Sequence, residues 1–319
     1  MKPKVSVNIA VKDRRALLAQ CLEGLAAQTY QDFEVIVVDN GSSDGTPEEG
    51  RRARGLTIRV LTELGSLGAV RNAGLAASVG EIVAFVDSDC VPTPDWLTRG
   101  VAAFADPGAT PVATVQGATL PDPTTTRGRW HVTQEITAFT HRYEACNLFY
   151  RRDVLVDAGG FDERIGFFGE DSAAGWAVRR LGLGERFAPD AVVHHAVTHP
   201  GLRWHLRRGL SYGNWNALVR RFPEMRTTMF WHRIFLRRES AQTLLALAGG
   251  LVAVTGAVIR EPAAAVVGVV CVAPFAWRHR PYTWRRRSAI VDALGGAGFD
   301  LAVEVGLLLG SIRERTLLV

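Results

Sequence analysis

Cysteine is scarce in this chain: Cys21, Cys90, Cys146 and Cys271 are the only four in 319 residues, and none stands in a C-x-x-C pair or a metal-finger spacing. That excludes a disulfide framework and points to a reducing compartment with buried or incidental thiols. The N-terminal MKPKVSVNIAVKDRR lacks the apolar stretch of about 7–15 residues and the small-residue cleavage site of a secretory signal, so this part is expected to stay in the cytoplasm. There is no internal repeat, no low-complexity tract and no recognised nucleic-acid motif, which argues against a nucleic-acid partner. Acidic residues are nearly missing from residues 202–241, where nine arginines face only Glu224 and Glu239.

What is present describes a folded protein. The chain is 47% apolar and 22% charged, enough to bury a core, and its length suggests two domains at roughly 100–200 residues each. A net charge of +5 is compatible with nucleotide phosphates, nucleic acid or acidic lipid, without choosing among them.

Short β-branched runs at residues 5–11 and 34–38 flank a segment with Leu17, Leu18, Cys21, Leu22 and Leu25 at helical spacing. Helical patterns at 46–54 and 68–78 alternate with strand patterns at 57–61 and 82–86, predicting a parallel, doubly wound α/β sheet. Ligands of such sheets sit at the carboxyl ends of the strands, where Asp39 and Asp87-Ser88-Asp89 fall. From 112 to about 197 the pattern reads as mixed, with a strand-like 111–115, a segment at 145–150, a helix around 172–181 and a strand at 191–195. Residues 1–200 are therefore expected to form one domain, and 201–319 a basic, apolar, mainly helical region.

In that region two uncharged stretches, 242–259 and 262–277, are separated by Arg260-Glu261 and followed by a basic run at 278–287. A spanning helix needs about 20 apolar residues, so the first is borderline and the second short. Three readings stay open: a bilayer hairpin with both basic flanks in the cytoplasm, a shallow insertion in one leaflet, or buried helices of a soluble domain or homodimer interface. A last apolar stretch, 301–312, is short and carries Glu304. Residues 202–221 interleave arginines with Trp204, Leu206, Leu210, Tyr212, Trp215 and Leu218, fitting an interfacial helix or an acceptor-binding surface.

The pair Asp87 and Asp89 closes a buried strand, EIVAFVDSD, with two carboxylates as the chain leaves the sheet. Magnesium and manganese favour such hard oxygen ligands together with substrate phosphates, although strand ends are also acidic simply because they meet water. Asp39 suits either an Asx-turn cap or a hydrogen-bond acceptor for a base N–H. Glu170-Asp171 opens a helix, where a carboxylate either caps the N-terminus or serves as a general base. His195, with His194 beside it, is either a hydrogen-bonded strand histidine or a ligand.

Taken in order, VSVNIAVKDR, QTYQDFEVIVVDNGSSDGT, RNAG, DSD, AGGFDE, FGEDSAAGWAVRRLG and PDAVVHH resemble the family 2 glycosyltransferases over about residues 5–195. The resemblance implies a GT-A fold, in which a mixed Rossmann-like sheet flanked by helices binds a nucleotide. It also implies inverting transfer of a sugar from a UDP-, GDP- or dTDP-linked donor to an acceptor hydroxyl, assisted by Mn2+ or Mg2+. The acceptor would be a lipid-linked or cell-envelope glycan at the cytoplasmic face of the membrane; a secondary metabolite fits the same residues, and a non-catalytic nucleotide-binding module is the competing class. By resemblance, Asp39 hydrogen-bonds the base, Ala10 and Asp13 line the donor site, Arg71 meets phosphate, and Asp87 and Ser88 meet the donor. Asp87, Asp89 and His195 hold the metal, Asp171 is the base, and Glu170 orients it or the acceptor. Two departures stand out. Ala10-Val11-Lys12-Asp13 replaces the Pro-Thr-Tyr-Asn of many relatives, losing an aromatic that can stack on the base, and the C-terminal region beyond His195 matches only loosely the basic and apolar extensions of some bacterial members. The QxxRW signature of processive synthases is absent, which argues against that option.

Overall fold

The computed structural model describes residues 3–105, 110–126, 130–165, 168–281 and 287–318. The chain divides into two compact units, residues 1–127 with 132–198, and residues 128–131 with 199–319.

The first unit is built on one eight-stranded sheet in the order β3-β2-β1-β4-β7-β6-β8-β5. Strands β1 (Val5–Val11), β2 (Phe33–Asp39), β3 (Ile58–Thr62) and β4 (Ile82–Val86) run parallel, as the alternating pattern predicts. Their crossovers include α1 (Arg15–Ala26), α2 (Thr46–Arg52) and α3 (Leu67–Ala77). Val5, Val7 and Ile9 on β1 and Val35, Ile36 and Val37 on β2 are fully buried, because helices cover both faces.

Beyond β4 the sheet becomes mixed. After β5 (Cys90–Pro92) and α4 (Trp96–Ala102), β6 (Val112–Pro121) runs parallel to β8 (Gly184–His195), and β7 (Asn147–Arg151) runs antiparallel to both β4 and β6. Helices α5 (Arg152–Asp157) and α6 (Glu170–Arg179) follow β7. Strands β6 and β8 extend well past their apolar runs, since ladder pairing continues through polar positions such as Gln116 and Arg186. Asn147, fully buried, fastens this half: its Nδ2 donates to the carbonyls of Ala118 and Ala191, and its Oδ1 accepts from Trp96 Nε1 at 2.8 Å.

The second unit is helical among its described residues: α7 (Leu202–Ser211), α8 (Asn214–Arg221), α9 (Met225–Thr228), α10 (Arg238–Val258), α11 (Pro262–Arg278) and α12 (Arg287–Glu314). The short apolar stretch at 301–312 lies inside a 28-residue helix. Asp292, Asp300 and Glu304 interrupt its hydropathy without interrupting its backbone hydrogen bonding. Helix α12 packs against α7 and α8, with Val303 and Leu307 fully buried. Helices α10 and α11 form a tight hairpin whose backbones meet at Gly249, Gly256 and Gly268. A Cβ on Gly268 would fall 2.4 Å from the Ala253 nitrogen, so only glycine permits this approach. Residues 282–286 of the basic run lie outside the described residues.

Candidate active site

The carboxyl ends of β1, β2 and β4 lie side by side, with Ala10 opposite Val38 and Val11 opposite Asp39. Asp39 is buried and accepts the amides of Gly41 and Ser42 at 3.1 and 3.2 Å, an Asx turn that fixes its carboxylate at the strand end. Asp13 takes a left-handed backbone, with φ of 49°, and clasps the facing loop: its Oδ1 accepts from Ser43 N at 2.8 Å and its amide donates to Ser42 Oγ. The departure from the usual aromatic loop thus forms a polar clasp.

Strand β4 delivers Asp87-Ser88-Asp89 into a tight turn closed by Cys90 N donating to the Asp87 carbonyl. Ser88 is buried inside the turn. The two carboxylates part company. Asp87, a third exposed, accepts from Arg71 Nη2 at 3.2 Å. Asp89 is buried, and its Oδ1 lies 3.7 Å from His195 Nε2. The His195 Nδ1 lies 2.8 Å from the Ala196 carbonyl, which selects the tautomer with its proton on Nδ1 and leaves the Nε2 lone pair facing Asp89. Asp89 Oδ1 has no hydrogen-bond partner among the described residues, although it is sealed from solvent.

Cys90 Sγ lies in the same cluster, within 4.8 Å of the Asp89 and His195 ligand atoms. Burial, with Cys146 and the aspartates nearby, pushes its thiol well above the ordinary range and keeps it protonated. The unpaired carboxylate oxygen and the bare imidazole nitrogen therefore fit a divalent cation that takes oxygen and imidazole ligands, with the thiol left as packing. Along β8, His194 and His195 alternate faces, so His194 lines a cleft of about 380 Å³ together with Leu17, Gln20, Asp89, Val91 and Asp122.

Arg71, almost wholly buried on α3, carries the DSD turn over to α6. Its Nη1 pairs with Glu170 and its Nη2 with Asp87, so one guanidinium ties the end of β4 to the start of α6. Both terminal nitrogens are thereby engaged by carboxylates. Asn72 exchanges hydrogen bonds with the backbone of Phe161 at 2.9 Å, locking the RNAG segment to AGGFDE. Gly160 permits this lock: its φ is +67°, and a Cβ would sit 2.6 Å from Asn72 Oδ1.

Asp171 is partly buried, and its carboxylate accepts the amides of Ser172 at 2.7 Å and Ala145 at 3.2 Å. Burial, with the Glu170 charge beside it, pushes the carboxyl up to about 8 against the opposing pull of Arg71. The segment facing it is pinned to α6 by Trp176 Nε1 donating to the His141 carbonyl and Ser172 Oγ to the Arg142 carbonyl. His141 and Tyr143 there hold left-handed backbones, strain of the kind that a surrounding structure must over-determine. Glu144 adds a third carboxylate near Asp171, raised by burial and bonded to Thr140 Oγ1 at 2.9 Å. Neither Glu144 nor Arg14, which pairs with Asp89, stands out in the sequence, because each reaches the site from a segment without periodic pattern.

A doubly wound half joined to a mixed half, with acidic turns at the strand ends, defines a GT-A-type nucleotide-binding fold. Residues 6–161, just under half of the chain, match the family model for glycosyl transferase family 2. Glycosyltransferase AglE of Haloferax volcanii is 35% identical over 174 residues, 51% of this chain and 57% of that protein. A pre-mycofactocin glycosyltransferase of Mycobacterium tuberculosis is 29% identical over 236 residues, 69% of this chain and 48% of that protein. The chain thus spans about half the length of these curated relatives. Among solved structures, the mannosyltransferase PcManGT from Pyrobaculum calidifontis, in complex with GDP-Man and Mn2+, aligns over 99% of this chain and 88% of its own with a TM-score of 0.59. At 20% identity that likeness is one of fold.

Proposed function

We propose that the protein is an inverting glycosyltransferase that moves a sugar from a nucleoside-diphosphate donor to an acceptor hydroxyl in one displacement. The observation carrying this reading is the buried Arg71 bridge, which couples the carboxylate turn at the end of β4 to the carboxylates at the start of α6. Asp39 accepts a base N–H, Ala10 and Asp13 frame the base and ribose, and Asp87 and Ser88 face the ribose and diphosphate. Asp171 takes the acceptor proton as the new bond forms, work typically worth about 10²–10⁴-fold. A carboxyl raised by burial is a better proton acceptor than an exposed one once it is ionised. Glu170, held by Arg71, orients that end of the site.

Asp89 and His195, with Asp87 adjoining, would hold Mn2+ or Mg2+. When bound, the ion neutralises charge building on the departing diphosphate. The family-model match and the complex of the fold neighbour with GDP-Man and Mn2+ support this assignment.

The membrane reading rests on the hairpin. Helix α10 is about 30 Å long at 1.5 Å per residue, and Leu251, Val254, Val258, Val266, Val269 and Val270 are each more than half exposed around it and α11. A glycine seam inside and aliphatic side chains outside is the pattern of helices packed in lipid. Arg237, Arg238, Arg278 and Arg280 sit at its open end against Arg260 and Glu261 at the tip, which orients the open end toward the cytoplasm. Helix α12 is also long and apolar enough to cross a bilayer, but more of it is buried and it carries Asp300, which Arg237, Arg278 and His279 surround. An acceptor on a lipid-linked or cell-envelope glycan follows from this location.

Thermal unfolding with UDP-, GDP- and dTDP-sugars, each with and without Mn2+, tests the donor reading, because ligand binding raises apparent stability by mass action. The expected result is a metal-dependent rise with one nucleotide class. The absence of a rise with every class, with vesicles present, overturns it.

A further inference from the structure

The cation nearest Asp89 belongs to the chain itself. Arg14, at the N-cap of α1, pairs its Nη1 with Asp89 Oδ2, across the turn from His195. We propose that Arg14 is a displaceable counter-ion, which holds Asp89 while the metal is absent and passes to the donor diphosphate when a divalent ion takes the carboxylate. This rests on the reading of Asp89 and His195 as the metal pair.

Three observations carry it. The partners differ in freedom: Asp89 is 8% exposed and anchored in its turn, whereas the Arg14 side chain is 44% exposed and can swing without entering the core. The Arg14 backbone is held independently of its side chain. Its amide donates to Thr46 Oγ1 at 3.1 Å and its carbonyl accepts from Leu18 N, while Asp13 and Arg15 are bonded to Ser43, Asp44 and Glu49. The pair also leaves Asp89 half used, because Oδ1 stays buried and without a hydrogen-bond partner beside the bare His195 Nε2.

Only the arginine end of the pair meets solvent, so Arg14 can leave into water at modest cost, while the buried carboxylate still calls for a cation in its place. A guanidinium and a divalent ion repel each other on one carboxylate, and the arginine must yield. The nearest new anion in a donor complex is the diphosphate, whose paired oxygens match the planar fork of arginine.

The test compares wild type, Arg14→Met, Asp89→Asn and the double variant as full-length chains. Mn2+ alone is titrated by electron paramagnetic resonance, and UDP and GDP are then titrated with Mn2+ present. Arg14→Met should bind Mn2+ about fivefold more tightly than wild type, the release of one partly exposed ion pair. It should bind the preferred nucleotide about tenfold more weakly, as expected for one lost charge-assisted contact. Asp89→Asn should abolish Mn2+ binding in both backgrounds. If Asp89→Asn abolishes binding but Arg14→Met leaves Mn2+ affinity unchanged or weaker, the counter-ion role is overturned and the metal reading stands. Unchanged nucleotide affinity in Arg14→Met overturns the transfer to diphosphate. Mn2+ binding that survives Asp89→Asn overturns the metal reading and this inference with it. Arg14→Gln replaces the methionine variant if that one unfolds.

Discussion

The β-sheet unit and the α10–α11 hairpin treat polarity in opposite ways. In the sheet unit the apolar residues are inside and charges buried with them are tethered: Arg71 between Asp87 and Glu170, Asp89 between Arg14 and His195. In the hairpin the interior is glycine backbone and the aliphatic side chains point outward. Burying a charge costs several kcal/mol unless it is paired, and exposing eleven large aliphatics to water forgoes their burial. The first unit accepts much of its cost at the carboxylate turns and the start of α6, which is where a reaction can use it. The second makes sense when its solvent is not water.

The comparison breaks most sharply at Asp171. If the buried charges serve chemistry, Asp171→Asn should cut kcat by about 10²–10⁴-fold while leaving donor affinity nearly unchanged, since the side-chain shape is preserved and the Asn oxygen can still accept one of the two backbone amides. Steady-state kinetics with a donor titration by calorimetry checks this. Near-normal turnover would reduce the α6 carboxylates to helix caps.

The hairpin side is tested by adding a charge where the sheet unit would lose one. Val254→Arg and Val269→Arg lie on outward faces, so neither should change the melting temperature in detergent. Each places a guanidinium in hydrocarbon at about 2.5–3.5 kcal/mol, and flotation with anionic vesicles should show a loss of binding of about 100-fold. Vesicle binding equal to wild type would mean that the exposed aliphatics meet another protein surface, such as a second copy of the chain.

The contrast also explains what could be read from the sequence. Strands β1 to β4 and helices α1 to α3 were legible because buried parallel strands are continuous β-branched runs and the helices are periodic. The ordered motifs placed Asp39, Asp87, Asp89, Glu170, Asp171 and His195 on the elements that carry them. The full lengths of β6 and β8 were not legible, because ladder pairing carries them through polar residues. The partners of the site were hidden too: that Arg71 would turn to Glu170, 99 residues away, or Arg14 to Asp89, depends on side-chain reach between segments that no local period connects. Glu144 lies in an irregular segment fixed by α6, and its place beside Asp171 is a tertiary fact.

The smallest expected effect is on stability, and it separates the two forces acting on Asp171. Its carboxyl is pushed up to about 8 in the folded protein, whereas an unfolded chain releases that proton near 3.9. Between those values the folded state holds a proton that the unfolded state has lost, so this group makes stability fall as pH rises through the window. Asp171→Asn has no such proton to give up. Its melting temperature relative to wild type should be level below about pH 4 and rise steadily as pH approaches about 8. Calorimetric scans of both proteins across that range measure the difference directly, with titrations elsewhere cancelling. A difference that stays flat would mean that Arg71 outweighs burial and the Glu170 charge, leaving Asp171 ionised throughout and a weaker base than the geometry of α6 provides.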